Sequence, residues 1–165
     1  MYKDYLEQIE HITVKERVSK DLELSNYLIK HLGTPVYFEN LDGYKAVGNL
    51  WASRASFAKV LKIEEKDLKL KMLQAIENPK PVKIIEHAPF MDHETANFSL
   101  KDLPIPKYFK EDGSNYITSG IVFSELDGKR NVSYHRMMIL DEKHAAVRLV
   151  PRHLYQMYNT AIERG

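Results

Sequence analysis

Two runs of strand-forming residues flank the dipeptide Asp127-Gly128, and this arrangement constrains the fold more than any other part of the sequence. Residues 116–124 before it are rich in β-branched and aromatic side chains, and residues 131–140 after it form a second such run. An Asp-Gly pair between alternating apolar residues is a strong signal for a two-residue hairpin turn. We therefore predict an antiparallel hairpin, a third strand that ends at Pro151-Arg152-His153, and a terminal helix over residues 154–164.

The chain before this hairpin alternates between helical and strand patterns, which predicts a mixed α/β (α+β) fold. Helical spacing of apolar residues predicts helices at residues 2–12, 21–31 and 67–76, and Ser53 is the predicted N-cap of a helix at residues 54–61. Short apolar runs predict strands at residues 35–40, 46–51 and 82–85, and the Asp42-Gly43 turn predicts a hairpin between the first two. Residues 87–109 contain Pro89, Pro104 and Pro106, so we expect a loop that holds a domain boundary. The predicted domains are residues 1–105 and 106–165.

The composition excludes several classes of protein and site. The net charge of the 165 residues is +1, which gives no reason to expect a nucleic-acid partner. No run approaches the ~18 consecutive apolar residues of a membrane span, and the N-terminal residues lack the apolar core of a signal peptide. Because the sequence has no cysteine, disulfides, thiolate metal ligands and cysteine nucleophiles are excluded. We expect a soluble, cytoplasmic protein.

The return strand of the hairpin carries many polar side chains for a segment that must be at least half buried. Strict alternation along the strand gives two faces, one with Asn131, Ser133 and His135 and the other with Val132, Tyr134 and Arg136. An arginine followed by an apolar run, as Arg136 is, is usually paired or ligand-binding. Because Asn131 and Arg136 lie on opposite faces, they bind different ends of an extended ligand, or a bulge rotates one of them toward the other. The alternative is an edge strand with solvated polar residues.

Histidines outside this strand are further candidates. His153 follows a proline corner at the start of the terminal helix, where it can bind a metal or contact an anion. An ordinary histidine at a solvated helix start is the alternative. His87, His93 and Glu94 do not have the spacing of an HExxH site, and we expect them in a surface loop.

Five parts of the chain, taken together and in order, resemble the UbiD-type decarboxylases, which use prenylated flavin mononucleotide. Residues 34–40 with Gly43 resemble the "PALLFENVKG" region, and residues 47–50 with Ser53-Arg54 resemble "VVGNLFGSRER". Residues 102–106 and 111–118 resemble "DLxxLPIP…DGGPYIT". Residues 130–136 resemble the "RNxxxxR" strand, and residues 151–153 the "PxH" corner. The similarity extends from about residue 18 to residue 165.

The resemblance implies metal and catalytic roles for three matched residues. Asn131 and His153 match two protein ligands of a divalent metal, Mn²⁺ or Mg²⁺, that bridges the cofactor phosphate. Arg136 matches an arginine that faces the substrate carboxylate and the flavin, and it is the implied catalytic residue. A potassium ion is also implied, with the Val132 carbonyl as a contact.

The resemblance also implies a set of cofactor contacts besides Arg136 and His153. Ser133, Tyr134 and His135 lie on the strand whose backbone lines the flavin, and Thr118 lies on its partner strand. Arg152 stands where a glutamine is expected in ferulate-type members, and it adds a positive charge beside the phosphate or the substrate.

The same resemblance implies that residues 1–165 do not hold a whole active site, because the third metal ligand and both catalytic glutamates match no position here. We expect an N-terminal α/β domain and the first strands of a split β-barrel flavin-binding domain, inactive alone and completed by more chain or a second subunit. Expected partners are a flavin prenyltransferase, further copies of the chain and a small carboxylic acid, whether aromatic, cinnamic-type, polyprenylated or phosphorylated. A self-standing flavin-binding or assembly subunit and a split-barrel flavin reductase are the alternatives.

Overall fold

The computed structural model describes residues 6–165, which divide into two compact units. The first unit contains the residues up to 18 and residues 25–97, and the second contains residues 19–24 and 98–165. Each unit has its own three-stranded sheet together with helices, so the predicted mixed α/β fold is confirmed. The predicted assignment of residues 1–105 and 106–165 to two domains stays a prediction.

A three-stranded sheet is the centre of the first unit. It contains β1 (Ile12–Val18), β2 (Val36–Leu41) and β3 (Tyr44–Gly48) in the order β1-β2-β3. β1 and β2 pair in parallel, and helix α1 (Glu23–Lys30) lies between them in sequence, as parallel strands require a crossover connection. β2 and β3 pair antiparallel across Asp42-Gly43, whose φ angles of 48° and 91° suit a two-residue hairpin turn.

The core of this unit lies where α1 covers the sheet. Phe38 in β2 is fully buried, and the ring of Tyr27 from α1 meets it edge-on with 5.9 Å between ring centroids. At the end of β3, a Cβ atom on Gly48 would collide with the side chain of Leu28, so the glycine permits close approach of strand and helix.

Asn49 then closes the end of the helix. Its Nδ2 donates to the carbonyl oxygens of Leu28 at 2.9 Å and of His31 at 3.0 Å. Carbonyls in the last turn of a helix have no intrahelical donor, so this amide satisfies two of them from outside the helix. The Gly48-Asn49 pair therefore fixes α1 against the sheet, which gives a structural reason for the glycine and asparagine in this part of the sequence.

Two further helices complete the described part of the first unit. Helix α2 (Arg54–Val60) begins after Ser53, and the Ser53 Oγ accepts from the Ser56 backbone N–H at 3.0 Å. A 3₁₀ turn at Glu65–Asp67 leads into α3 (Leu68–Glu77). Both helices were predicted, and the predicted cap at Ser53 is confirmed with a reciprocal bond from the Ser53 N–H to the Ser56 Oγ at 3.2 Å.

Two sequence predictions in this unit are wrong. Residues 82–85 form no strand, because they pair with no other segment among residues 6–165, and Val82 and Ile84 are 81% and 84% exposed. The helix predicted at residues 2–12 begins outside the described residues, and Ile12 is the first residue of β1 rather than the last of a helix. Strand β1 itself was not predicted, because three consecutive charged residues (Lys15, Glu16, Arg17) obscure its alternation.

The second unit contains the predicted hairpin. Strands β4 (Tyr116–Leu126), β5 (Lys129–Ile139) and β6 (Ala145–Val147) form an antiparallel sheet in the order β4-β5-β6. Asp127 and Gly128 have φ angles of 53° and 71°, so the predicted two-residue turn is confirmed. Helix α4 (His153–Arg164) follows and contacts both β4 and β5. The hairpin and the terminal helix are therefore confirmed, and the third strand is present but ends at Val147 rather than at Pro151.

An ion pair joins the end of α4 to the hairpin turn. The Arg164 guanidinium donates through Nη1 to both carboxylate oxygens of Asp127, at 2.8 and 2.9 Å. This hydrogen bonding lowers the pKa of the Asp127 carboxyl below its ordinary value, and the nearby charges of Arg164 and Lys129 lower it further. No helix in the described part of the chain is both long and apolar enough to cross a membrane.

Replacement of Phe38 by alanine tests the core of the first unit. We expect Phe38→Ala to lower the free energy of unfolding by about 3–5 kcal/mol, because it opens a cavity under α1. Phe90→Ala is the matched control, since Phe90 is 76% exposed, and we expect a change below about 0.5 kcal/mol. Chemical denaturation of the complete protein measures both, and equal losses would contradict the assigned core.

Replacement of Arg164 by glutamine tests the ion pair at the turn. Because the folded-state pKa of Asp127 is lowered, its contribution to stability is present above the unfolded pKa and is lost as pH falls through the folded pKa. We expect Arg164→Gln to raise the pKa of Asp127 in a side-chain NMR titration, and the stability difference from wild type to vanish in acid. Arg130→Gln removes the ion pair with Glu125 instead, and it should leave the Asp127 titration unchanged.

Candidate metal and cofactor site

The β4–β5 ribbon presents two faces of different character. Asn131 and Ser133 are half-buried and His135 is 9% exposed, so this face of β5 lies against the rest of the second unit. Val132, Tyr134 and Arg136 on the opposite face are exposed. The alternation predicted for these six residues therefore matches their burial.

A groove runs between the first face of β5 and the start of α4. Two depressions of about 440 and 650 Å³ form it, and their walls share Asn131, His153 and Gln156. The structure thus brings the two predicted metal ligands, Asn131 from the strand and His153 from the helix, to one surface. The Val132 residue also lines the larger depression, and its potassium contact stays a prediction.

The amide of Asn131 is oriented by two serines. Its Nδ2 donates to the Oγ of Ser133 at 3.3 Å and to the Oγ of Ser124 on β4 at 3.4 Å. Within residues 6–165 the Asn131 Oδ1 accepts no hydrogen bond, so this oxygen is available to another group. An amide oxygen and an imidazole nitrogen on one groove are suitable ligands for Mn²⁺ or Mg²⁺.

These two residues do not form a complete metal centre. The described residues contain no cluster of three or more His, Cys, Asp or Glu side chains that could hold a metal ion. The donor types of Asn131 and His153 therefore fit a divalent ion whose remaining ligands come from another source, such as a phosphate.

Ser133 and His135 extend the hydrogen bonds of Asn131 into the interior. The Ser133 Oγ lies 2.8 Å from His135 Nε2, and His135 Nδ1 lies 3.4 Å from the backbone carbonyl oxygen of Arg148. Their side chains are thus hydrogen-bonded to each other, and both residues line the larger depression. Tyr134, in contrast, is 75% exposed.

A β-bulge lies opposite Arg136. The register of β4 and β5 shifts between Ile117 and Gly120, so Thr118 and Ser119 together face the single residue Arg136. Sequence reasoning allowed for a bulge but placed it on the strand of Asn131, whereas the structure has it on β4. The predicted residues Thr118 and Arg136 are therefore neighbours at this end of the ribbon.

Arg136 is held by an aromatic ring rather than by an acid. Its guanidinium carbon lies 5.6 Å from the centroid of the Tyr116 ring, and it makes no ion pair with residues 6–165. Asn131 lies five residues away on the opposite face, about 17 Å along an extended strand. The site thus has two ends, as expected for an extended ligand, and the structure does not bring Arg136 and Asn131 to one point.

Arg152 and His153 are both exposed at the start of α4. Arg152 is the N-cap residue in extended conformation, with φ −132°, and it makes no side-chain cap hydrogen bond. The first backbone N–H groups of α4 therefore have no side-chain acceptor at this N-cap, and such groups favour an anion.

Sequence reasoning missed three contributors to these surfaces. Gln156 and Thr160 line the groove together with His153, at the spacing of one helix face, and this periodicity was the available signal. Tyr116 beneath Arg136 was assigned only as a strand residue. The expected surface-loop position of His87 and His93 is confirmed, since both are exposed and His87 Nε2 lies 3.2 Å from the carboxylate of Asp92.

Family models match both parts of the chain. Residues 6–76 match the 3-octaprenyl-4-hydroxybenzoate carboxy-lyase N-terminal domain, and residues 83–165 match the 3-octaprenyl-4-hydroxybenzoate carboxy-lyase Rift-related domain. Both models are those of UbiD proteins.

Similar proteins agree with these models. The anhydromevalonate phosphate decarboxylases of Methanosarcina mazei and Methanothermobacter thermautotrophicus are 32% and 31% identical, over 99% of this chain. The chain spans 40% of the length of each.

The UbiD-class enzyme HmfF from Pelotomaculum thermopropionicum has the same fold over this region. Its FMN complex is 26% identical with a TM-score of 0.88, over 99% of this chain and 40% of HmfF. The complex of its evolved dimeric form with prFMN has a TM-score of 0.90 at 25% identity, over 99% of this chain and 41% of HmfF. The two family models and the shared fold together show that this chain belongs to the UbiD family of carboxy-lyases.

Proposed function

We propose that these residues are part of a decarboxylase that removes CO₂ from an α,β-unsaturated or aromatic carboxylic acid with prenylated FMN and a divalent metal. The observation that carries the proposal is that Asn131 and His153, from different elements, line one groove. Arg136, without an acidic partner in the described residues, lies at the other end of the same ribbon. Two ends with different chemistry suit a cofactor phosphate held at the groove and a substrate carboxylate held at Arg136.

Asn131 and His153 would hold Mn²⁺ or Mg²⁺ at the groove end of the site. The hydrogen bonds from Nδ2 to Ser133 and Ser124 leave the Asn131 Oδ1 as the amide atom available to the ion. The phosphate of the cofactor would complete the ligand set together with groups from more chain or a second subunit, because the family's third protein ligand matches no residue of this sequence. The implied potassium ion near the Val132 carbonyl is a proposal of the same kind.

The start of α4 would hold the phosphate itself. Its first backbone N–H groups and the exposed Arg152 provide hydrogen-bond donors and positive charge beside His153. Ser133, Tyr134 and His135 would line the flavin through the backbone of β5, and Thr118 would contact it from the bulge of β4. The flavin complexes of HmfF support a flavin in this region.

Arg136 would bind the substrate carboxylate. Its guanidinium lies over the Tyr116 ring, which restricts its position without neutralising its charge. Loss of CO₂ from an unsaturated carbon requires an electron sink that no side chain provides, and prenylated FMN supplies that chemistry when bound. The acid that delivers a proton to this carbon matches no residue here, so we propose that residues 1–165 alone have no activity.

The substrate proposed for the first test is anhydromevalonate phosphate, the compound in the name of the two relatives at 32% and 31% identity. Aromatic acids are the second class to test, because the matching family models carry the name of 3-octaprenyl-4-hydroxybenzoate carboxy-lyase.

Domain organisation and partners belong to the same proposal. Residues 106–165 would be the first strands of a split β-barrel, completed by more chain or a second subunit. The sheet face with Phe123 and Tyr134, which are 77% and 75% exposed, supports coverage by further protein, including another copy of this chain. A flavin prenyltransferase would supply the cofactor, and the protein would work in the cytoplasm.

Replacement of Arg136 tests the catalytic assignment. In the complete protein loaded with prenylated FMN, we expect Arg136→Gln to lower kcat/KM for the accepted acid by roughly 10²–10³-fold, because the carboxylate loses its cationic partner. Arg17→Gln is the control, since Arg17 is an exposed arginine of the first unit already paired with Asp42. Equal activity in both variants would contradict the role of Arg136. Flavin binding without decarboxylation of any acid would instead favour the self-standing flavin-binding subunit.

Replacement of the two groove residues tests the metal assignment. We expect Asn131→Ala and His153→Ala each to weaken Mn²⁺ binding by more than roughly tenfold, measured as free Mn²⁺ by electron paramagnetic resonance. His144→Ala is the control, because His144 is an exposed histidine bonded to Asp141 in the same unit. If all three variants bind Mn²⁺ equally well, the metal site lies elsewhere.

A further inference from the structure

A continuous line of hydrogen bonds connects the interior of the second unit to the Asn131 amide. It runs from the carbonyl oxygen of Arg148 to His135 Nδ1 at 3.4 Å, and from His135 Nε2 to the Ser133 Oγ at 2.8 Å. The Ser133 Oγ lies 3.3 Å from the Asn131 Nδ2. Ser133, Asn131 and His135 share one face of β5, and His135 is the most buried of the three.

The chemistry of each group sets the direction of every bond in this line. A backbone carbonyl only accepts, so His135 Nδ1 must carry the proton that it donates to Arg148. In the neutral imidazole, Nε2 is then the acceptor, and the Ser133 hydroxyl donates its proton to it. The Ser133 oxygen is left with lone pairs only, and the group of Asn131 that faces it must be the amide NH₂.

Ser124 on the neighbouring strand accepts from the same amide group in this orientation. Its hydroxyl donates to the backbone carbonyl oxygen of Asn131 at 3.5 Å or to the Met157 Sδ at 3.7 Å. In either case its lone pair faces the Asn131 Nδ2 at 3.4 Å. Two serine oxygens therefore select one of the two flip states of the amide, and in that state Oδ1 does not face the serines.

We propose that His135 is a positioning residue that acts through Ser133 to hold the Asn131 amide with Oδ1 available for a metal ion. This inference rests on the proposed function, in which Asn131 is a metal ligand. Without an acceptor at position 135, the Ser133 hydroxyl is free to donate to Oδ1 instead, which favours the flipped amide with NH₂ directed at the cation. His135 thereby determines which atom of Asn131 the groove presents, although its own side chain contacts neither metal nor cofactor.

The test is Mn²⁺ binding to the complete protein without flavin, because this readout is separate from activity. We expect His135→Leu and Ser133→Ala each to weaken Mn²⁺ binding by roughly tenfold or more, as replacement of an outer-shell partner does. His135→Gln should restore most of the affinity, since its amide oxygen can accept from the Ser133 hydroxyl. The double variant His135→Leu/Ser133→Ala should bind no more weakly than the worse single variant, because both changes break one line.

Two controls separate positioning from loss of stability. Ile139→Val mildly destabilises the same face of the same strand, since Ile139 is 5% exposed, and it should leave Mn²⁺ affinity unchanged. If His135→Leu does not fold, the Mn²⁺ affinities of Ser133→Ala and His135→Gln are compared with wild type instead.

The outcomes distinguish this inference from the function on which it rests. Weaker Mn²⁺ binding in Asn131→Ala together with wild-type binding in His135→Leu and Ser133→Ala would overturn the positioning role alone. Wild-type binding in Asn131→Ala would overturn the metal site and the positioning role with it. Equal weakening by Ile139→Val, or additive losses in the double variant, would also overturn the positioning role.

Discussion

The pairing of β4 with β5 is the constraint on which the rest of the second unit depends. Because side chains alternate along a strand, the register set by the Asp127-Gly128 turn decides which residues lie beneath α4 and which do not. A slip of one residue would turn the Asn131 side chain to the opposite face of the ribbon. The ion pair between Asp127 and Arg164 joins the turn to the end of α4, so the same short segment aligns the strands and the helix.

The register also explains why the candidate site has two ends. Arg136 and Asn131 differ by an odd number of positions, so they lie on opposite faces, and the bulge at Thr118 and Ser119 does not change this. The bulge instead inserts an extra residue of β4 opposite Arg136. In our proposal, the cofactor lies along the ribbon and reaches around its edge. It can therefore lie near Asn131 on one face and near Arg136 on the other.

Sequence reasoning recovered the elements whose signals are local. A few neighbouring residues determine each of these features. They are the turns at Asp42-Gly43 and Asp127-Gly128, the cap at Ser53 and the alternation of β5. It failed where the structure depends on pairing with distant residues. Strand β1 exists because it pairs with β2, despite three successive charged residues, whereas residues 82–85 have strand-like composition but no partner in the described chain. The groove around Asn131 depends on the approach of α4, which no local pattern specifies.

The polar face of β5 requires hydrogen-bond partners for each of its buried groups, and this requirement restricts the roles that the face can have. Asn131, Ser133 and His135 occupy positions where apolar residues would pack against α4 without any requirement for hydrogen bonds, and a buried polar group without a partner costs about 1–3 kcal/mol. Among residues 6–165, no buried side-chain nitrogen or oxygen lacks a partner, so the three side chains cause no such loss. Satisfied partners alone do not account for three polar residues in succession on this face. In our proposal, the Asn131 NH₂ donates to Ser133 and the Ser133 hydroxyl donates to His135, so Oδ1 remains the amide atom available to a metal ion. A metal ligand held in one orientation would account for that arrangement.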